Sequence, residues 1–522
     1  MLRLLSILLF CTATVAHASD TFTFSSEPGP YAVGLHVRQQ YDYARVYRTR
    51  LDLVTGQPAT GERARPIQTL VWYPAARGGN PVTFGDYVAT AATEDNFALT
   101  ASDARRATDA QVAAWTRGRQ AQVKSELAHA MRAVKDAPRQ PGKFPVVIYA
   151  PSFSAPAAEN PDLCEYLASH GYIVIASPSL GARTRFMTSD LEGLETQAAD
   201  IAYLVAYART LPQADTDKLA VAGFSWGGLS NVLAAAKDDR IKALVSLDGS
   251  LRGYTEYVNG GKDAPKYVTP ARLAVPLLYL AKRPLSVEEL NKREIDTTFS
   301  LMNRMKYSDV YVVTLHPMKH ENFSSWGLRF ATDGEFDEYT RDEVSLAHSW
   351  MARYVLRFLD AYLKDDAAGR AFLDNTAAAN GVPRHMVSLD IRHGTGEPPT
   401  LETFVGQLAK QGFGRAIDIY QALHAQDASF VIGENGVNSW GYQLLRGGRG
   451  KEAIEIFRLG THLYPTNGNL FDSLAEAYEK AGARDEAIRN YRRSLELDPK
   501  NSNAVERLKV LGAPPATAAP AP

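Results

Sequence analysis

Between Pro145 and Leu315, short uninterrupted apolar runs alternate with helix-length segments, and no other feature constrains the fold as much. The runs are Pro145–Tyr149, Tyr172–Ala176, Lys218–Ala222, Ala243–Leu247, Pro276–Ala281 and Asp309–Leu315. Helical segments lie between them at Asp162–His170, Leu194–Thr210 and Gly223–Ala236, and Val344–Leu363 closes the series. A strand that is apolar at every position needs cover on both faces, so these runs predict a mostly parallel sheet sandwiched by helices, the α/β class. Upstream, Tyr31–Val46 and Ile67–Tyr73 alternate in a strand-like way and are rich in β-branched and aromatic residues.

A chain of 522 residues exceeds one ordinary core, so further domains are expected. From 86 to 136 the character changes to Ala, Arg, Gln and Glu. Leu127, Met131 and Val134 stand at helical spacing, so this stretch reads as a helical insertion without strands, either a lid or a passive surface addition. After Lys364 the chain is punctuated by Gly and Pro as far as Pro398-Pro399, which predicts a linker over 366–400. The remainder repeats. Trp440, Leu444, Gly448, Ala453, Phe457 and Pro465 recur 34 residues later as Leu474, Tyr478, Gly482, Ala487, Tyr491 and Pro499. That period is the tetratricopeptide one, and a weaker copy runs from Leu401 to Leu423. Residues 401–512 are therefore expected to form an all-α tetratricopeptide-like domain, and 513–522, rich in Pro and Ala, a disordered tail.

The first residues set the expected compartment. Arg3 precedes the apolar run Leu4–Phe10, which is too short to span a bilayer, and Ala16-His17-Ala18 supplies a small-x-small cleavage site. A signal peptide over 1–18 predicts a periplasmic or secreted protein with its main domain over 19–365. Its removal leaves Cys164 as the sole thiol, which excludes an intramolecular disulfide and a cysteine-built metal site. No later stretch reads as a membrane span. With 57 basic against 58 acidic residues and no basic stripe, nothing points to a nucleic-acid partner.

The chemistry centres on Gly223-Phe224-Ser225-Trp226-Gly227. By composition alone G-x-S-x-G recurs in roughly one chain in six of this length, so the bare pattern is weak. Its setting is specific: it follows the buried run Leu219–Ala222 and opens a helix, the strand–turn–helix context of a nucleophile elbow. A serine hydroxyl needs a base to become nucleophilic. The chain order Ser…Asp…His places that base after the last strand, in His316-Pro317-Met318-Lys319-His320. His316 abuts the strand, whereas His320 lies in the loop beyond it and is the preferred base. Asp248, at the end of Ala243–Leu247, is the candidate acid, with a capping role as its alternative. The stretch after the following strand, Ala281-Lys282-Arg283-Pro284, has no carboxylate until Glu288.

Residues from about Pro66 to Leu363 resemble the dienelactone-hydrolase-related α/β-hydrolases, and among them the platelet-activating-factor acetylhydrolases. The resemblance rests on Arg65-Pro66-Ile67-Gln68 with Trp72-Tyr73-Pro74, on Leu167–Val174, on the elbow with Gly228, on Leu247-Asp248 and on His320-Glu321-Asn322-Phe323. It implies a triad of Ser225, Asp248 and His320, and an oxyanion hole made by the backbone N–H of Trp226 and by a donor in the loop after Pro145–Tyr149. The family tends to have His-Gly in that loop. Here it reads Pro151-Ser152-Phe153, which leaves the Phe153 N–H as the candidate second donor. True dienelactone hydrolases use Cys as the nucleophile, so that activity in its strict form is not expected.

Together these readings predict an exported serine esterase that cleaves small esters through an acyl-enzyme, with no cofactor and no metal. Short acyl esters follow from the resemblance, with polyester and carbohydrate-ester cleavage also open. Phe153, Trp226, Phe323 and Trp326 line an apolar acyl pocket or pack in the core. The alternative is a catalytically silent hydrolase scaffold whose repeats bind a protein. Those repeats offer a peptide groove, a self-association surface or a face that packs on the hydrolase domain.

Overall fold

The computed structural model describes residues 21–51, 55–115, 120–251, 268, 273–292 and 301–513. The expected signal peptide and the tail beyond Ala513 lie outside them. The chain divides into two units, 1–395 and 396–522.

The first unit is built on one sheet of eleven strands. They are β1 (Ala32–Val46), β2 (Ala64–Ala75), β3 (Pro81–Thr83), β4 (Ala130–Lys135), β5 (Phe144–Ala150), β6 (Ile173–Ala176), β7 (Ala214–Phe224), β8 (Ile241–Leu247), β9 (Leu277–Lys282), β10 (Val310–Leu315) and β11 (Val387–Arg392). Their spatial order is β11-β10-β9-β8-β7-β5-β6-β2-β1-β4-β3. From β6 to β10 every pairing is parallel, while β2 and β11 run antiparallel to their neighbours β6 and β10. β5 is buried along its whole length. Its side chains alternate between two cores: Val147 and Tyr149 face one, and Val146, Ile148 and Ala150 the other. The first core is covered by α4 (Pro161–Ser169) and the long helix Arg341–Leu363, the second by α5 (Leu191–Ala208) and α6 (Trp226–Lys237). This is the doubly covered parallel sheet that the apolar runs demand. After β5 the chain crosses to β6 on one side and then returns to β7 on the other. That reversal opens a crevice above the carboxyl ends of β5 and β7, where ligands bind in open α/β sheets.

Two expectations are corrected. The 86–136 stretch is helical only in part: α1 (Phe84–Thr90), α2 (Ala101–Trp115) and α3 (Gln120–Leu127) are followed by β4, which pairs parallel with β1. Met131 and Ala133 point inward at a period of two, and the helix-like spacing of Leu127, Met131 and Val134 is coincidental across that boundary. The expected linker 366–400 contains a helix, Ala367–Asp374, and the edge strand β11. Val387, Leu389 and Ile391 are half-buried while Ser388 and Asp390 are exposed, the pattern of an edge strand covered on one face only. Its short length and polar alternation hid it among Gly and Pro. The unit boundary therefore falls after Thr395.

The second unit is all-helical: Leu401–Gln411, Ala416–Gln426, Glu434–Arg446, Gly450–Leu463, Gly468–Lys480, Arg484–Leu497 and Ser502–Val510. Glu434–Arg446 with Gly450–Leu463 recurs 34 residues on as Gly468–Lys480 with Arg484–Leu497. The small residues Ala453 and Ala487 are fully buried, as are Phe457 and Tyr491 one turn later, so paired helices approach closely at matching positions. Ala513, the first residue of the expected tail, is buried and donates its N–H to the Leu508 carbonyl, closing the last helix.

Candidate active site

Ser225 sits between β7 and α6 with φ 54° and ψ −114°, a conformation that costs a non-glycine residue of the order of 1–3 kcal/mol. The surroundings hold it there. Its N–H donates to the Leu247 carbonyl at 3.0 Å, and its own carbonyl accepts from the N–H groups of Gly228 and Ser250. The elbow closes because its glycines carry no Cβ. One at Gly227 would lie 2.1 Å from the Ala150 carbonyl oxygen, and one at Gly223 would lie 2.5 Å from the Gly227 backbone. Trp226 is the first residue of α6, so its N–H belongs to the positive end of that helix.

The three expected residues meet at this point. Ser225 Oγ and His320 Nε2 are 2.9 Å apart, and His320 Nδ1 is 2.6 Å from Asp248 Oδ2. Asp248 also adopts a positive φ, 41°, and donates its N–H to the Leu280 carbonyl. Its Oδ1 accepts the Lys282 N–H at 3.1 Å, which leaves Oδ2 facing the imidazole. His320 opens a 3₁₀ turn, His320–Phe323, fastened by the Lys319 N–H donating to Asn322 Oδ1. The Phe224 ring lies beside the imidazole with centroids 4.9 Å apart. His316, the other candidate, is elsewhere: its N–H donates to the Met386 carbonyl and its ring reaches Ser388 on β11.

A cleft of about 880 Å³ opens over Ser225 and His320, a size that accepts a drug-sized ligand. Phe153, Pro156, Phe224, Trp326 and Phe330 supply its apolar wall, and Lys319, Glu321 and Glu335 its polar mouth. Phe153 is 43% exposed and meets the Trp226 ring edge-on. Phe323 is corrected: it is fully buried in the core and does not line the cleft, because the 3₁₀ turn directs it inward while its carbonyl accepts from Asn160 Nδ2.

No described residue of 86–136 lines the cleft, so the structure gives the lid reading no support. The segment instead braces the loops that do. Glu94 accepts from the Ala157 N–H and pairs with Arg185, and Glu126 pairs with the buried Arg329, which also holds Asp162. Burial pushes the Glu94 carboxyl up to about 8 despite Arg185.

Among the lining residues that the sequence did not single out, one carries a buried charge. Glu159 is a buried carboxyl whose Oε2 accepts the Ser152 N–H at 2.8 Å while Oε1 accepts the Ser152 hydroxyl. Burial pushes it up to about 7, opposed by the two Ser152 bonds and by nearby His320. Its signal in the sequence is a lone acid after the apolar Ala155–Ala158 stretch. Among the described residues there is no group of three or more His, Cys, Asp or Glu that could hold a metal ion, and no helix is long and apolar enough to cross a membrane.

Comparisons with known proteins bear on the same region. The chlorophyllase family profile matches residues 112–253, which include the elbow and Asp248. A protein named as a carboxymethylenebutenolidase from Methylorubrum extorquens is 29% identical over 133 residues, 23% of this chain and 45% of its own. A protein of the same name from Yersinia pestis is 34% identical over 123 residues, 22% of this chain and 46% of its own. The mostly parallel, doubly covered sheet of the first unit fits the α/β-hydrolase fold, and the matched stretch is similar to dienelactone-hydrolase-like proteins. The matched stretch spans just under half the length of each of these relatives. A solved structure, a ferulic acid esterase from Streptomyces cinnamoneus, aligns with this chain at a TM-score of 0.47 and 18% identity, covering 70% of this chain and 98% of that one.

Proposed function

We propose that the protein is an exported serine hydrolase that cleaves carboxylic esters through an acyl-enzyme. The observation that carries this reading is the unbroken hydrogen-bond chain from Ser225 through His320 to Asp248 at the floor of the cleft. Asp248 holds the Nδ1–H tautomer, so Nε2 is the basic nitrogen and faces the hydroxyl. His320 takes the Ser225 proton as Oγ attacks the ester carbonyl, and the N–H groups of Trp226 and Phe153 stabilise the tetrahedral oxyanion. His320 then protonates the leaving alcohol, and water repeats the sequence on the acyl-enzyme. Asp248 stabilises the imidazolium that forms at each step without itself taking the proton.

The apolar wall suits an uncharged acyl or alkyl group, and the polar mouth suits the released alcohol or acid. Small esters with short acyl chains are the proposed substrates. The Ala16-His17-Ala18 site supports export to the periplasm or beyond, and the 34-residue recurrence of helix pairs supports a tetratricopeptide-type unit that binds a protein or a second copy. A fluorophosphonate probe tests the central reading: the adduct is expected on the Ser225 peptide by mass spectrometry, and an intact protein that stays unlabelled contradicts it.

A further inference from the structure

We infer that Glu159 is a positioning residue: its carboxyl holds the loop 151–155 in the conformation that presents the Phe153 N–H to the reacting ester. The inference rests on the serine-esterase reading and adds a part to it.

Phe153 itself is partly exposed, and a donor on an exposed loop is useful only if something fixes its direction. Its neighbours are held on both sides. Upstream, the Pro151 carbonyl accepts from Gln197 Nε2 at 2.8 Å, and both donors of Ser152 go to Glu159. Downstream, Ser154 takes a positive φ of 57° and its hydroxyl accepts the Met187 N–H at 2.9 Å. Among these clamps Glu159 alone is also tied to the loop that carries the base. Its backbone carbonyl accepts from Ser324 Oγ at 3.1 Å and from the Trp326 N–H at 3.4 Å. The adjacent Asn160 accepts the Ser325 hydroxyl and donates to the Phe323 carbonyl. One short segment thus joins the proposed oxyanion loop to the turn that begins at His320. A buried carboxyl is costly unless its bonds are made, and the side-chain bonds of Glu159 are the two to Ser152.

The chemistry makes Gln a discriminating replacement. Its Oε1 accepts the Ser152 N–H as before, and its Nε2 donates to the Ser152 hydroxyl, which turns to accept. Gln therefore keeps the clamp and removes only the charge, whereas Ala removes the clamp.

Steady-state hydrolysis of nitrophenyl acetate by the full chain provides the test. For Glu159→Ala the expected result is a kcat about 10²-fold lower, the scale of one lost oxyanion donor, with KM within about threefold. Glu159→Gln is expected to restore kcat to within about threefold of the parent. Affinity for a trifluoromethyl ketone, whose hemiketal oxygen occupies the oxyanion position, should fall in parallel for Glu159→Ala, while that for the methyl ketone should hold. If Glu159→Ala does not fold, Ser152→Ala decides, with kcat expected to fall about tenfold at constant KM. An unchanged kcat in the folded Ala variant, or a loss in Glu159→Gln as large as in Glu159→Ala, overturns the inference. Ser225→Ala run alongside separates the two readings. Activity persisting there sinks the esterase assignment, whereas its loss with a fully active Glu159→Ala sinks only the role of Glu159.

Discussion

At the scale of single residues, catalysis as proposed depends on two backbone positions held at positive φ, Ser225 and Asp248, which aim a hydroxyl and a carboxylate at the same imidazole. Asp248→Asn keeps the shape but favours the wrong tautomer, so kcat is expected to fall about 10⁴-fold with little change in KM, as steady-state kinetics will show. Gly227→Ala attacks the elbow itself. Its Cβ would meet the Ala150 carbonyl oxygen at 2.1 Å, and neither a Cβ nor a backbone carbonyl can rotate away, so β5 or the elbow must shift. Loss of ester hydrolysis with a lower melting temperature is expected. A variant that stays fully active at an unchanged melting temperature would mean that the turn tolerates the crowding.

At the scale of elements, the candidate site depends on buried charge pairs that join loops far apart in sequence. Arg329 holds both Glu126 and Asp162, and all three are buried. Arg329→Met leaves two carboxylates without their cation, and a loss of about 3–5 kcal/mol is expected from urea unfolding. Behind the turn that begins at His320, the buried His348 ring is bonded to the Asn322 carbonyl, and burial lowers its pKa to about 4. A depressed histidine favours the fold when neutral. Its contribution is present above the unfolded value of 6.5 and is lost as pH falls through about 4. Urea midpoints at pH 7 and pH 4 should therefore differ more for the parent than for His348→Gln.

Much of this scale was legible in the sequence. The parallel strands and helices follow from unbroken apolar runs, because a core strand has no solvent face to encode. The short pieces did not. β4 and β11 are six residues each, with one face covered, and their period-two signal is hidden beside a helix-like spacing or Gly and Pro punctuation. At the candidate site, Ser225 and His320 were readable from motif and chain order, and Asp248 from the lack of a carboxylate directly after the following strand. Phe323 and Glu159 were not, because the direction of a 3₁₀ turn and a contact seven residues away depend on tertiary packing.

At the scale of the whole molecule, the two units have separate hydrophobic cores, and every residue of the candidate site belongs to the first. Ending the chain after Thr395 is expected to leave kcat/KM for nitrophenyl acetate within about threefold, whereas ending it at 365 removes β11 from the sheet and should destabilise the fold. Buried acids also give the first unit a pH signature. Glu94 is raised to about 8, and Glu159 and Glu165 to about 7. A raised carboxyl favours the fold when protonated, so that contribution is full below the unfolded value of 4.5 and disappears as pH climbs through the folded one. The melting temperature of Glu94→Gln minus that of the parent should accordingly grow from pH 5 to pH 9.

The proposed unity of Ser225 and His320 is open to one direct measurement, the turnover of nitrophenyl acetate by Ser225→Ala, by His320→Ala and by the double variant. Side chains that act as one unit are strongly non-additive, so each single change is expected to reduce kcat by around 10⁶-fold and the double change by no more. Turnover near the parent rate in Ser225→Ala, or two small losses that multiply in the double variant, would contradict the account.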